Sequence, residues 1–244
     1  MRNLMLTLSY DGTAYHGFQR QPVLPTVQGT LEAALTEVFR SPIQVSGCSR
    51  TDAGVHARQY VCNFHCDGTI PPEKVPLALR ARLPKDICVY ACRQVADTFH
   101  ARRSVRRKTY CYTINTASFQ DVFSCRFEWH FHRDLNVERM QEGARHLLGT
   151  HDFSAFMAAG GDAETTVRTV ERLDLIREGS RIKMYITAEA YLYNMVRIIM
   201  GTLVYVGLGK FPPAQVGDIL ASRSRRAAGM TAPPQGLMLY EVVL

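Results

Sequence analysis

Ser46-Gly-Cys-Ser-Arg-Thr-Asp-Ala-Gly-Val-His56 lies between two apolar runs, Ile43 to Val45 and Tyr60 to Phe64. The flanking runs have strand character, and the stretch between them holds two glycines and a single acid. This pattern predicts strand, loop, strand, with the loop held by rigid elements on both sides. Loops placed in this way often carry function. Gly47 and Gly54 allow backbone angles closed to other residues and leave space in front of Asp52. Arg50, two positions away, favours the charged carboxylate and lowers its pKa. These residues suggest an ionised Asp52 facing a substrate. They also describe an ordinary turn, in which Asp52 bonds its own backbone and Arg50 forms a surface ion pair.

Upstream, Leu4, Leu6, Leu8 and Tyr10 alternate with Met5, Thr7 and Ser9, the period of a strand with one face more buried than the other. After a turn at Asp11-Gly12-Thr13 comes a segment rich in stacking and hydrogen-bonding groups, Tyr15 to Arg20. Gln19 and Arg20 in it suit contacts to splayed bases and phosphates. Thr26 is the predicted N-cap of a helix whose face carries Val27, Leu31, Ala34, Leu35, Val38 and Phe39. Downstream of the loop, Pro71-Pro72 opens a helix with Val75, Leu77, Leu79 and Leu83, and Ile87 to Ala91 reads as a strand. The first half is therefore strand, helix, strand, strand, helix, strand.

The second half repeats that order with one extra helix. Lys108 to Ile114 is a strand with Tyr110 and Tyr112 on one face, and a helix spans about Asn136 to Leu148. Val167 to Ile176 and Ile182 to Ala188 form a strand pair. Tyr191 to Val206 is apolar on nearly every side, but Asn194 and Arg197 lie inside it and the run is too short for a bilayer, so it predicts a buried helix. Pro212-Pro213 opens another helix, and Gly236 to Leu244 is a final strand. The expected class is α+β: two similar β-α-β-β-α-β lobes, 1–104 and 105–244, forming one mixed, mostly antiparallel sheet with helices on one face. Asp52 from one lobe and Tyr110 with Arg197 from the other would converge in a cleft on the open face. Arg197 requires a partner, because an unpaired buried charge costs several kcal/mol. Asp52 is one candidate and Glu189 another.

Composition narrows the function. With 244 residues the chain can bury its own core without staples. Its seven cysteines include no Cys-x-x-Cys pair, and Cys62 and Cys66 around His65 lack the second pair that zinc sites use. Neither a metal nor a disulfide framework is expected. The first residues run straight into a strand pattern, so no signal peptide and a reducing cytoplasm are expected. The net charge of +7 favours a polyanionic partner. Arg102, Arg103, Arg106, Arg107 and Lys108 make one basic cluster and Arg223, Arg225 and Arg226 another, a distribution that points to nucleic acid.

These stretches together resemble the TruA family of tRNA pseudouridine synthases. The likeness rests on Tyr10-Asp-Gly-Thr-Ala-Tyr-His-Gly-Phe-Gln-Arg-Gln21, Arg50-Thr-Asp-Ala-Gly-Val-His-Ala57, Asp97-Thr-Phe-His-Ala-Arg102 and Lys108-Thr-Tyr-Cys-Tyr112. It continues in Leu147-Leu-Gly-Thr-His-Asp-Phe153, Tyr193-Asn-Met-Val-Arg197 with Gly201, and Gly236-Leu-Met-Leu239. The resemblance implies the pseudouridine synthase fold and isomerisation of uridine in the anticodon stem-loop of tRNA, without cofactor or metal, by a homodimer that holds tRNA in basic clefts. It makes Asp52 the catalytic aspartate, Arg50 and Arg197 its cationic partners and Tyr110 the residue that stacks on the base. Leu237 or Leu239 becomes a pocket lining, and His56 with the basic residues Arg102, Arg106, Arg107 and Lys108 become substrate contacts. Three positions depart from the family's common pattern: Phe18 where tryptophan is common, Ser49 where glycine is common, and Gln59-Tyr60 where a Gly-Gln pair is usual.

The implied chemistry breaks a glycosidic C–N bond, turns the uracil and rejoins it through carbon, after the base has left its stack. Asp52 serves as a nucleophile at C1′ or as a base at C2′, and the residues alone do not choose between these routes. A non-catalytic RNA-binding protein on the same scaffold would keep the arginines but would not need Asp52, Tyr110 and Arg197 together. A hydrolase using Asp52 and His56 would cut RNA or release free base.

Overall fold

The computed structural model describes residues 1–244. The chain divides into two units, Met1–Arg106 with Leu239–Leu244, and Arg107–Met238.

The first unit contains β1 (Arg2–Tyr10), α1 (Val27–Phe39), β2 (Ser46–Gly47), β3 (His56–Cys66), α2 (Val75–Arg80), β4 (Ile87–Val95) and α3 (Ala101–Ser104). Its strands run in the order β4, β1, β3, followed by the last strand of the chain, β10 (Leu237–Val243). β1 pairs antiparallel with both β3 and β4. The alternation in β1 buries Leu4, Leu6, Leu8 and Tyr10 with Leu31 and Leu35 of α1 in the same core. Thr26 caps α1 as expected, its hydroxyl accepting the Gly29 N–H at 3.2 Å. One polar residue of α1, Glu32, is buried as well. It accepts from Arg20, Gln28 and the Val45 N–H, and so ties the helix to the chain leading into the Asp52 loop. The helix after Pro71-Pro72 is shorter than its apolar spacing predicts, ending at Arg80 and leaving Leu77 67% exposed.

The expected boundary at residues 104 and 105 falls two residues early, and the C-terminal strand does not stay with the second half. Its end returns to the first unit, where Val243 C=O accepts from the Arg106 N–H at 2.9 Å and the Val242 N–H donates to Gln59 Oε1 at 3.2 Å.

The second unit contains β5 (Arg107–Asn115), β6 (Trp129–His130), α4 (Val137–Arg145), β7 (Gly149–Asp152), β8 (Val167–Glu178), β9 (Arg181–Ala188), α5 (Met195–Gly207) and α6 (Gln215–Ser222). The strands run β5, β9, β8, β7 in antiparallel pairs, and β6 adds a short parallel pair on β5. Each unit thus mixes helices with mainly antiparallel strands, the expected α+β class. α5 starts at Met195 and not at Tyr191, because Asn194 stands in the left-handed region at φ 59° and breaks the entry. Ile198, Ile199, Leu203 and Val204 of α5 are fully buried, yet no helix is long and apolar enough to cross a membrane. The helix packs tightly on the 229–232 segment: a Cβ at Gly201 would lie 1.9 Å from the Met230 carbonyl oxygen.

Candidate active site

The Asp52 loop is fixed from behind by backbone bonds to the segment after β1. The Phe18 N–H donates to Thr51 C=O at 3.2 Å, and the Gly54 N–H donates to Tyr15 C=O at 3.2 Å. The Val55 N–H closes the turn onto Asp52 C=O at 3.1 Å, and Thr51 Oγ1 shares a 2.8 Å bond with Tyr10 Oη. Glycine is needed at Gly12 and Gly17 for this contact, since a Cβ would fall 2.0 Å from Val55 C=O oxygen and 2.3 Å from that of Thr51. Asp52 itself is half-buried and Arg50 is exposed. An acid on a backbone held this firmly loses little orientational freedom when it acts, which is the condition for preorganised catalysis.

The loop's upstream limb rests on Tyr60. Gly47 pairs with Cys62, the Cys48 N–H donates to Val61 C=O, and the Tyr60 hydroxyl donates to Ser49 C=O. The Phe18 ring stacks on Tyr60 with centroids 4.2 Å apart and an angle of 22°. A side chain at Gly47 would collide with both rings. The three departures noted above therefore meet: Phe18, Ser49 and Tyr60 form one cluster under the loop, and Gln59 takes the β10 N–H. Burial pushes the Tyr60 hydroxyl well above its ordinary range, so it stays a neutral donor.

His56 is buried at 1% exposure, and its Nδ1 accepts the Gly12 N–H at 3.0 Å. Asp11 Oδ1 also approaches Nδ1, at 3.2 Å. His56 therefore braces the loop from within. Leu239 is fully buried in the first unit and Leu237 is 5% exposed in the second. Cys62 and Cys66 are buried core thiols, whereas His65 is exposed.

In the second unit, Tyr110 of β5 is buried and stands edge-on to Tyr191 with centroids 5.0 Å apart. The Tyr191 hydroxyl lies 2.8 Å from both Lys108 C=O and Ile186 C=O, and so spans β5 and β9 behind Tyr110. Arg197 lies in the first turn of α5. Its Nε donates to Ala232 C=O at 2.8 Å and its Nη1 to Asn194 Oδ1 at 2.7 Å. The Ala232 N–H returns a bond to Arg197 C=O. The left-handed Asn194 thus supplies an acceptor that orients the guanidinium. Burial raises the Tyr112 hydroxyl, and the Arg197 charge partly offsets that rise. Glu189, the other candidate partner, acts electrostatically on Arg168.

The basic residues differ in how they are used. Gln19, Arg102, Arg103 and Arg106 are exposed. Arg20 reaches Glu32 at 3.1 Å while remaining 70% exposed, and Arg107 pairs with Glu171 at 3.1 Å. Two members of the second cluster make contacts within the protein. Arg223 pairs with Asp152 at 3.2 Å, and Arg225 donates to Gly229 C=O and Thr231 Oγ1, clamping the segment that carries Ala232. Neither Tyr191 nor Glu32 stands out in the sequence, where each reads as an ordinary core or helix residue.

The family model described as tRNA pseudouridine synthase matches residues 7–102 and 144–243. The chain is 48% identical over 243 residues to tRNA pseudouridine synthase A of Thermoanaerobacter sp. (strain X514), covering 100% of both chains. It is 43% identical over 242 residues to tRNA pseudouridine synthase A 2 of Clostridium perfringens (strain 13 / Type A), covering 99% of each. It is 45% identical over 239 residues to tRNA pseudouridine synthase A of Halalkalibacterium halodurans, covering 98% of this chain and 91% of the relative.

Proposed function

The chain belongs to the tRNA pseudouridine synthase family, a family of isomerases, and on that premise we propose that it converts uridine to pseudouridine in the anticodon stem-loop of tRNA. The observation that carries this reading is the half-buried Asp52 on a loop whose backbone is bonded on both sides. Asp52 either attacks C1′ and displaces N1 of the uracil, or removes the C2′ proton as the C1′–N1 bond breaks. The uracil turns while held, and C5 bonds to C1′ as the Asp52–C1′ bond breaks or the C2′ proton is returned; C5 then loses its proton and N1 gains one, so atoms and electrons balance without an added reagent. Arg50 favours the ionised form of Asp52, and Arg197 is aimed by Asn194 and Ala232.

Tyr110 stacks on the flipped base, which offsets part of the unstacking cost, about 1–3 kcal/mol for a base on an aromatic ring. Leu237 and Leu239 line the uracil pocket, and His56 holds the loop in position. Gln19, Arg20, Arg102, Arg106, Arg107 and Lys108 meet the tRNA backbone, Arg107 exchanging Glu171 for phosphate. No cofactor takes part, and the reaction runs in the cytoplasm. Two copies act together. Phe119, Val122 and Phe123, exposed at 86%, 75% and 93% within one loop, offer apolar surface of the kind association covers.

The test is tritium release from tRNA labelled at uridine C5. The wild-type chain should release it, and Asp52→Ala should release none while binding tRNA within a few-fold of wild type. Wild-type binding without release would favour the RNA-binding reading and remove the catalytic one.

A further inference from the structure

At one end of the first unit's sheet, the pairing on both sides of β1 is irregular at the same level. On the β4 side, Thr7 pairs with Ala91 and Leu8 with Val89, which leaves Tyr90 without a partner. On the β3 side, Leu8 pairs with Tyr60 and Tyr10 with Ala57, so Arg58 and Gln59 together oppose Ser9. These are two β-bulges flanking two residues of β1. Bulges re-aim side chains and gather next to active sites, and this end of β3 leads directly back into the Asp52 loop.

The re-aimed residues are a tyrosine and an arginine. Tyr90 is 50% exposed, uncommon for so large a ring on a paired strand. Arg58 is exposed, and its guanidinium lies 4.8 Å above the ring centroid of Tyr240 on β10 while Nη1 donates to the Tyr240 hydroxyl at 2.8 Å. The Arg58 charge also acts on the Tyr90 hydroxyl, drawing it down against the rise caused by burial. In the strand order β4, β1, β3, β10, Arg58 on β3 therefore lies between the strands that carry Tyr90 and Tyr240, and it is locked onto Tyr240. The unit is itself net positive: within Met1–Arg106 and Leu239–Leu244 there are 13 Lys and Arg against 9 Asp and Glu.

We propose that Tyr90, Arg58 and Tyr240 form a second nucleotide-binding surface, on which Tyr90 stacks a base of the bound tRNA other than the one isomerised while Arg58 meets the adjoining phosphate. An open tyrosine face beside a cation whose position is already fixed is the arrangement that single-stranded nucleic acid uses, because any base can stack and the phosphate pairs with the arginine. Fixing Arg58 on Tyr240 beforehand lowers the ordering cost of binding. The proposal rests on tRNA being the substrate.

The experiment measures tRNA affinity at one salt concentration, and the single-turnover rate of pseudouridine formation at saturating enzyme, for wild type, Tyr90→Leu, Tyr90→Phe and Arg58→Ala. Tyr90→Leu keeps an apolar group on the bulge but removes the stacking face. It should weaken binding about 5- to 150-fold, the range for one lost base stack. Tyr90→Phe should stay within about twofold. Arg58→Ala should weaken binding and reduce the salt dependence by about one phosphate contact. Saturated rates should match wild type in all three, since none of these groups touches the reacting atoms. Wild-type binding by both Tyr90→Leu and Arg58→Ala would overturn the proposal, as would equal losses in Tyr90→Leu and Tyr90→Phe. If the wild-type chain forms no pseudouridine yet Tyr90→Leu still loses tRNA, the isomerase reading falls and this surface stands.

Discussion

At the scale of single residues, the site depends on groups that hold other groups. Asp52 could be picked out from its neighbours in the chain, whereas Tyr60 showed only as a departure from the family's pattern, because a tyrosine in an apolar strand does not reveal what its hydroxyl holds. Its hydroxyl is the acceptor and donor for the backbone of Ser49, the residue before Arg50. Tyr60→Phe keeps the stack on Phe18 and removes only that oxygen, leaving a buried carbonyl short of its donor at a cost of about 1–3 kcal/mol. The melting temperature should fall, and the single-turnover rate should fall with it as the loop loosens. A variant with wild-type melting and wild-type rate would show that the loop does not rely on this bond. His56 carries the same lesson: a histidine near the acid in sequence suggests chemistry, whereas burial and an accepting Nδ1 assign it to support.

At the scale of elements, α5 and the 229–232 segment act as one piece. Arg197 is aimed by Ala232 C=O, and Gly201 permits the contact that brings this carbonyl into place. Gly201→Ala should destabilise the protein by about 1–3 kcal/mol, the usual cost of overpacking. Denaturant unfolding reads the stability, and activity should fall by more than the folded fraction does, because Arg197 loses its guide. The connection between β5 and β6 is pinned differently. Burial would raise the Glu128 carboxyl, but hydrogen bonds from Arg181, Asn115 and Ser124 outweigh it and hold the group below the ordinary carboxylate range. A depressed folded-state value stabilises the protein above the unfolded value, and that contribution is lost as pH falls through the folded one. Glu128→Gln should therefore melt below wild type at neutral pH, with the gap closing in acid. A gap independent of pH would mean that Glu128 acts only by its shape.

At the scale of the whole molecule, positive charge is divided between binding and structure. Four phosphate contacts from the exposed basic residues, at a slope of about −0.7 each, imply about a 50-fold loss of tRNA affinity for a fourfold rise in salt. Arg102→Gln should lower that slope. Arg223→Gln should lower it less and reduce stability slightly, because Arg223 is paired with Asp152. Filter binding over a salt series, with melts in parallel, separates the two. Equal changes in slope for both variants would return the second cluster to the binding surface. The thiols follow the same division. Cys48, Cys62, Cys66 and Cys111 are buried, Cys92 and Cys125 are half-buried, with burial pushing the Cys92 thiol up to about 12, and Cys88 is exposed.

The sequence by itself determined the order of the longer elements, the cap on α1, the buried character of α5 and the family, because periodicity, capping and contiguous motifs are written within a few residues of one another. It missed the short α3, β6 and β7, and it placed a strand at Ile43–Val45 where the strand is Ser46–Gly47. It did not reveal that α5 starts at Met195, since a left-handed asparagine leaves no periodic trace. Only the tertiary structure decided which unit the last strand completes, that the Phe18, Ser49 and Tyr60 departures form one cluster, that Arg223 and Arg225 make contacts within the protein, and that two bulges turn Arg58 and Tyr90 outward. Each of these depends on groups distant in the chain meeting at a particular register. Register is chosen by the packing of the whole sheet, and a one-residue shift in either bulge would have sent the same side chains to the opposite face.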